Sequence, residues 1–222
     1  MPLTATAPNH FKYALAKKMV DLFADTIRAI LVRNGFVFNK DNHAVLANLK
    51  GYLAAQTISI NGSFEIDDAG SGFLAAGFVP GNSIEMSGWT NEGNNTTKVV
   101  NTVTAGKITV TDTTGLVTEA AGNMITISGE DELPAGNGYL EYGVEVTGKS
   151  VTENDADDRM EFACANIDFS ASGGSVGPTP GAILYDDTVA EKTILGYLDF
   201  DGNQTIADGN KLRLQNVRIR IS

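Results

Sequence analysis

The stretch Ala171–Asp201, ASGGSVGPTPGAILYDDTVAEKTILGYLDFD, combines the densest turn chemistry of the chain with two clear apolar runs. Glycines and prolines crowd its first third, and a helix is excluded there because glycine permits positive φ while proline withdraws N–H donors. The runs Ala182–Tyr185 and Ile194–Phe200 are rich in aromatic and β-branched residues and flank the polar segment Asp186–Lys192. We predict a strand-loop-strand unit that forms the central hairpin of an all-β core.

Toward the N-terminus, apolar residues follow a helical spacing of four, four, three and one. They would occupy one face of a single helix and comprise Phe11, Leu15, Met19, Leu22 and Phe23. The next apolar segment, Asp25–Val32, fits both helical and alternating spacing. Its β-branched content and the following Asn34-Gly35 turn signal favour a strand. The residues around His43 predict an exposed loop.

The composition changes near Ala55. Between there and Lys149 the only basic residues are Lys98 and Lys107, while threonine, serine, asparagine and glycine increase. Short alternating runs separated by Gly and Asn turn signals occur at Thr57–Ile60, Ser83–Met86, Lys98–Val103, Lys107–Thr111 and Met124–Ile127. This spacing is typical of a small antiparallel sandwich or barrel.

After Gly129 the earlier style of sequence returns. We predict a strand over Gly138–Val146, an acidic turn over Glu153–Arg159, and further alternating strands up to the C-terminus. The chain is therefore expected to be mainly β. Residues 1–54 and 129–222 would form a sandwich-like or barrel-like host domain with one N-terminal helix, and residues 55–128 would form an inserted β module.

Composition and charge limit the possible partners. The chain has 222 residues, 42% of them apolar, and a formal net charge of −11. An acidic surface disfavours both nucleic-acid phosphates and anionic membranes, so neither is an expected partner. Met1–Asn9 lacks a basic flank before an apolar block, and the longest aliphatic runs are far too short to span a bilayer.

The sequence predicts no catalytic, cofactor or metal site. His10 and His43 have no ligand partner at a suitable spacing, and the single thiol, Cys164, is expected to be a small buried hydrophobe. Asp199, Asp201 and Asn203 imitate the start of an EF-hand loop. Because the glycine and closing glutamate of that loop are missing, we interpret them as a solvated turn.

Several segments of the host resemble a family of small virion structural proteins of tailed bacteriophages. They are FKYALAKKMVDLFADTIRAILVRNGFVFNKDN (Phe11–Asn42), VTENDADDRMEF (Val151–Phe162), SASGGSVGPTPGAILYDDT (Ser170–Thr188) and GYLDF (Gly196–Phe200). Three further segments are similar to a β module that recurs inside phage head and tail proteins. They are GSGFLAAGFVPGNSIEMSG (Gly70–Gly88), KITVTD (Lys107–Asp112) and AAGNMITISG (Ala120–Gly129).

Both resemblances imply a non-enzymatic component of the virion. The leading expectation is a capsid decoration or cement protein that binds the major capsid protein or another virion protein in many copies, as a homo-oligomer within the particle, with the module outward. A tail-tube, baseplate or head-tail junction subunit is the alternative. A hypothesis of another class is a surface-glycan-binding appendage that uses Trp89, Tyr139 and Tyr142.

The contact residues are expected near the N-terminus. Met1–Asn9 has no apolar periodicity, so Met1, Pro2 and Leu3 would belong to an arm that lies across a protein-protein contact. Phe11 and Leu15 would pack beside this arm or on the host sheet. The alternative is an arm folded back on its own domain.

Overall fold

The computed structural model describes residues 3–221 and is mainly β, with one α-helix in that range. The chain divides into two compact units. Unit 1 contains the residues up to Leu46 and those from Glu132 onward, and unit 2 is Ala47–Asp131. The predicted fold class, a β-rich protein with a single N-terminal helix, is confirmed.

The first segment of unit 1 contains β1 (Thr4–Ala5), α1 (Asn9–Ala16) and β2 (Ile27–Leu31). Unit 2 contains β3 (Tyr52–Ala55), β4 (Ile58–Ile60), β5 (Ile66–Asp68), β6 (Ser83–Ser87), β7 (Thr97–Thr104), β8 (Lys107–Val110) and β9 (Ile125–Gly129), with a 3₁₀ turn at Glu92–Asn94. A further 3₁₀ turn, Leu46–Leu49, begins at the last residue of the first unit 1 segment. The second segment of unit 1 contains β10 (Val144–Glu145), β11 (Ser150–Asn154), β12 (Arg159–Ala163), β13 (Ile167–Ser170), β14 (Val176–Asp186), β15 (Ile194–Ile206), β16 (Lys211–Leu214) and β17 (Arg218–Ile221).

Unit 1 is built from three sheets around one core. The first has the order β10-β2-β14-β15, the second β1-β17-β12-β11, and β13 pairs with β16. The pairs are antiparallel except β1 with β17. A backbone bridge between Thr6 and Tyr197 connects the N-terminal strand to the first sheet as well. Apolar side chains from all three sheets and from α1 form a single buried cluster.

The quoted stretch lies at the centre of unit 1. Its strands β14 and β15 pair antiparallel, and β14 also pairs with β2, so β14 has a partner on both sides. The run Ala182–Tyr185 is buried at every position. A strand covered on both faces has no solvent face, which explains why this run is continuously apolar instead of alternating.

Unit 2 is one antiparallel sheet of seven strands in the order β3-β9-β6-β7-β8-β5-β4. Its strands alternate, and their inward residues form a separate core that includes Ile108 and Ile127 together with Phe73 and Phe78 from a loop. From the sequence, unit 2 was predicted to begin at Ala55. In the structure β3 pairs with β9, so the unit begins at Ala47 and takes in this strand.

Two sequence predictions in unit 1 are wrong. The helix α1 ends at Ala16 and does not extend to Phe23, because Lys18 has a left-handed φ of 56°. The predicted strand Gly138–Val146 is mostly loop, and only Val144–Glu145 is a strand. Tyr142 and Gly143 both have positive φ, and a Cβ at Gly143 would overlap the carbonyl oxygen of Ala29.

Asp199, Asp201 and Asn203 are exposed, as the predicted solvated turn requires, but the turn itself is wrong because all three residues lie within β15. The strand is distorted there, with φ of 54° at Asp201 and 129° at Gly202. The Asp201 N–H donates to Asp199 Oδ1 at 2.9 Å, which is the local bond that made the segment resemble a turn.

Candidate interaction surface

The segment after α1 turns sharply and presents Phe23 to solvent. The N–H groups of Phe23 and Ala24 both donate to Asp21 Oδ1 at 3.0 Å, and the Asp25 N–H donates to the Asp21 carbonyl at 2.8 Å. The hydrogen bonds from Ala24 and Phe23 lower the pKa of Asp21, so the carboxylate that shapes this turn is ionised at neutral pH. Phe23 is consequently held with 74% of its surface exposed.

Phe23 forms one wall of an apolar groove of about 450 Å³ in unit 1. The groove combines the segment after α1 with the β11–β12 hairpin, and it is lined by Leu15, Lys18, Val20, Asp21, Leu22, Phe23, Val151 and Met160. Val20 and Leu22 are buried, whereas Val151 is 41% exposed. Leu15 and Met160 are partly buried against the unit 1 core, so the groove is an open side of that core.

Beside the groove lies a free sheet edge. Strand β11 pairs with β12 over five residues without a register shift, and within residues 3–221 it has no other strand partner. A second depression, of about 530 Å³, is lined by residues on both sides of the hairpin turn and also by Val151, Met160 and Ile221. Unpaired N–H and C=O groups along an edge bind a further strand readily.

Charges at this surface are separated by position. The hairpin turn carries Asp155, Asp157 and Asp158, and Arg159 pairs with Asp157 at 2.7 Å. Lys18 lies in the groove, and Lys149, immediately before β11, donates to the Asp25 carbonyl. The start of the edge therefore carries Lys149 and Lys18 beside the ionised Asp21 carboxylate, whereas its end is acidic.

On the outer face of the same sheet, Glu161 is almost fully buried beneath arginines. It pairs with Arg218, with Arg220 at 3.0 Å and with Arg159 at 3.7 Å. The alternation of arginine with apolar residues in β17 thus has a structural role, since Arg218 and Arg220 both pair with the one carboxylate of β12, that of Glu161. This cluster stabilises the strands that support β11.

The structure separates the residues predicted to make contacts. Met1 and Pro2 lie outside the described residues. Leu3 is partly buried against the core of unit 1, Phe11 is fully buried within that core, and Leu15 alone lines the groove. Trp89 is buried in unit 2 with 4% of its surface exposed.

The N-terminal segment lies on its own unit, as the alternative interpretation had it. Thr4 and Ala5 pair with Arg218 and Ile219, and Thr6 and Tyr197 exchange two backbone hydrogen bonds at 2.8 and 3.0 Å. Ala5 is buried in the core. The prediction of an arm that reaches across a protein contact is therefore wrong for residues 3–6.

Sequence reasoning did not identify Phe23, Val151 or Met160 as parts of this surface, and it did not predict that Phe23 is exposed. Helical periodicity assigned Phe23 to a buried face, because the turn held by Asp21 depends on hydrogen bonds that periodicity does not register. Val151 alternates with polar residues as in any half-buried strand. Only its position at a sheet edge, which the topology supplies, distinguishes it.

Two ionisable residues of unit 1 are buried. His43, expected in an exposed loop, is fully buried. It stacks on Phe36 with ring centroids 5.1 Å apart, and its Nδ1 accepts the Asn39 N–H at 3.0 Å. Desolvation lowers its pKa to about 4. The exposed-loop prediction is wrong for His43 because the ring of Phe36 packs on the imidazole and the loop buries it.

Asp186, at the end of β14, is buried, and burial raises its pKa to about 6. The Thr188 N–H opposes this shift, while the neighbouring Asp25 carboxylate adds to it. Burial likewise raises the pKa of the half-buried Cys164 to about 11, so its thiol is protonated at neutral pH. Within residues 3–221, no three histidine, cysteine or acidic side chains are grouped as a metal site requires.

Comparisons with protein-family models, with curated proteins and with solved structures find no match to this chain. No helix in the described part of the chain has the length and apolar character to cross a membrane.

Proposed function

We propose that the chain is a non-enzymatic structural protein of a tailed-phage virion, a decoration protein that binds the shell in many copies. The motif resemblance of the host and module segments supports the phage assignment. The observation that carries the assembly role is Phe23, an aromatic residue held 74% exposed in an apolar groove beside the free edge of β11. Exposed apolar grooves of this kind mark protein interaction sites.

The structure weakens the glycan-binding alternative. That hypothesis needed an aromatic platform formed by Trp89 with Tyr139 and Tyr142. Trp89 is 4% exposed and Tyr139 is also buried, where its hydroxyl accepts the Leu31 N–H and donates to Glu132 Oε1, each at 3.0 Å. Neither ring can therefore stack on a sugar. Among these three residues only Tyr142 is exposed.

The proposal is tested on purified particles with and without this protein. Particles that lack it should lose thermal stability, and added protein should restore that stability in proportion to its occupancy. Phe23→Glu places a charge in the groove and should reduce occupancy, whereas Tyr52→Glu, an equally exposed site on unit 2, is the matched control. Circular dichroism of each variant verifies the fold.

Absence of the protein from purified particles, together with unchanged stability of particles that lack it, would overturn the proposal. Equal loss of occupancy in the Phe23 and Tyr52 variants would remove the groove from it. A copy number of a few per particle would favour the head-tail junction over the shell.

A further inference from the structure

The sheet edges of unit 1 differ in how well they are protected. Strand β15 is long, but register shifts and the positive φ values of Asp201 and Gly202 distort its exposed half. Strand β10 has only two residues. Strand β11 has five residues, a regular register, and neither lysine nor proline within it. Monomeric proteins protect edges with lysine, proline, register shifts and inward-pointing charges, and of these β11 has only the charge of Glu153, so β11 is a weakly protected edge.

Apolar side chains next to the unit 1 core are also exposed to solvent at this edge. Val151 is paired with Phe162, a fully buried core residue, and therefore lies on the core-facing side of the sheet. Because side chains alternate along a strand, Glu153 lies on the same side, opposite Met160. A strand added to β11 would cover the exposed parts of Val151 and Met160 and complete the layer.

We propose that the strand which occupies this edge is β11 of a second copy, paired antiparallel about a two-fold axis through Thr152. This inference rests on the proposed function only in treating the groove and edge as the assembly surface. In this arrangement Ser150 lies opposite Asn154 of the second copy, and Val151 lies opposite Glu153. One patch serves both chains, as a two-fold interface requires.

Charge complementarity favours a second copy of the chain as the partner and favours antiparallel over parallel pairing. Antiparallel pairing places Lys149 opposite Asp155 of the second copy and brings the acidic hairpin turn to the start of the partner strand. Glu153 of the second copy enters the side of the sheet on which Lys18 and Val151 line the groove. Parallel pairing would instead set acidic turn against acidic turn, which like-charge repulsion disfavours.

Cysteine crosslinking tests the register in a Cys164→Ser background. Residues directly opposite in an antiparallel pair have Cα atoms about 4.5–5.5 Å apart, within the range a disulfide accepts. Thr152→Cys, on the axis, should crosslink to itself under mild oxidation. Asn154→Cys should not, since its two copies would be more than about 13 Å apart along the strands. A mixture of Ser150→Cys and Asn154→Cys proteins should crosslink.

Sedimentation velocity of the purified full chain tests the association itself. The unmodified protein should dimerise, and Val151→Glu should raise the dimer dissociation constant by about tenfold or more, since it places a like charge directly opposite Glu153 of the second copy in both halves of the pair. Tyr52→Glu, on edge strand β3 of unit 2, should leave it unchanged. Asp155→Lys should weaken dimerisation, and adding Lys149→Glu should restore it.

A protein that remains monomeric at high concentration overturns the inference, as does equal crosslinking of the Thr152 and Asn154 variants. These results are separable from those on particles. A monomer that still decorates particles disproves the paired edge and leaves the proposed function intact. A dimer that is absent from particles supports the paired edge and disproves the virion role.

Discussion

The two units satisfy their buried polar groups differently. In unit 2, buried Asn82 donates to Asp131 at 2.7 Å and to the Asn48 carbonyl at 2.7 Å, while Lys98 donates to the Thr114 carbonyl at 2.6 Å. In unit 1, the ionisable groups of His43 and Asp186 each have a buried atom, Nε2 and Oδ2, without a hydrogen-bond partner, whereas the buried unpaired atom of unit 2, Trp89 Nε1, belongs to a group that does not ionise. In unit 2 the buried polar side chains hold loops through hydrogen bonds. In unit 1 burial shifts the pKa values of His43 and Asp186 in the direction that favours their neutral forms. The units should therefore respond differently to pH.

The comparison predicts two separate unfolding transitions. Phe162 in unit 1 and Phe73 in unit 2 are both fully buried in different cores, so each Phe→Ala change should destabilise its own unit by about 3–5 kcal/mol. Differential scanning calorimetry of the two variants should show that each lowers one transition and leaves the other in place. A single transition that both variants shift equally would show one cooperative unit.

Acid should act first on unit 1 through His43. Its pKa is about 4 in the folded state against an ordinary value of 6.5, so its contribution is complete above pH 6.5 and is lost as pH falls through 4. The loss amounts to about 3 kcal/mol. The difference in unfolding free energy between the native chain and His43→Gln, measured from pH 7 to 4, isolates this residue.

The carboxylates of unit 2 provide the contrast. The pKa values of Glu65, Asp68, Asp112 and Glu119 are all lowered, so their contributions persist until the pH falls below their ordinary range near 4. If the unit 2 transition weakens between pH 7 and 5 as much as the part of the unit 1 transition that depends on His43, the contrast fails.

Asp186 should act in the opposite sense. Its folded pKa of about 6 lies above the ordinary value of 3.8, so its contribution is complete below pH 3.8 and is lost as pH rises through 6. At pH 7 Asp186→Asn should therefore stabilise unit 1 by roughly 2–3 kcal/mol. Chemical denaturation at pH 7 and at pH 4 checks this, because the gain should vanish at pH 4. Asp187→Asn, the neighbouring residue, is the control.

Removing unit 2 should have the smallest effect. Replacing Ala47–Asp131 by a short Gly/Ser linker leaves every strand of unit 1 with its partner, so its unfolding free energy should change by less than about 1 kcal/mol. Replacing only residues 55–128 removes β9 and leaves the exposed Tyr52 strand unpaired. That shorter excision should reduce solubility. Failure of the longer excision to fold would show that unit 1 requires unit 2.

Local patterns predicted most of the strands. The alternating runs of unit 2 lie within one or two residues of β4 and β6–β9, because each strand has one buried face and ends at a turn residue. The β14–β15 hairpin and strand β2 were also predicted, since continuous apolar runs between polar loops indicate doubly covered strands. In these places local preference and tertiary environment agree.

The errors occurred where side-chain hydrogen bonds, local backbone conformation or distant contacts override the periodicity of the sequence. Helical periodicity continues to Phe23, but the hydrogen bonds to Asp21 and the positive φ of Lys18 end the helix. Gly143 interrupts an apolar run because it meets the Ala29 backbone, more than a hundred positions away. The groove was only partly foreseen, through Leu15, since its other wall comes from β11 and β12.

The pairing of β1 with β17 determines when unit 1 can complete its folding during synthesis on the ribosome. Strand β17, residues 218–221, is the partner of β1 and is translated after every other strand of unit 1, so the second sheet of unit 1 stays incomplete until these residues have emerged from the ribosome. Unit 2 is continuous in sequence and can finish folding while the ribosome still translates residues beyond 131. The nascent protein can therefore carry a folded unit 2 while unit 1 is still unfinished.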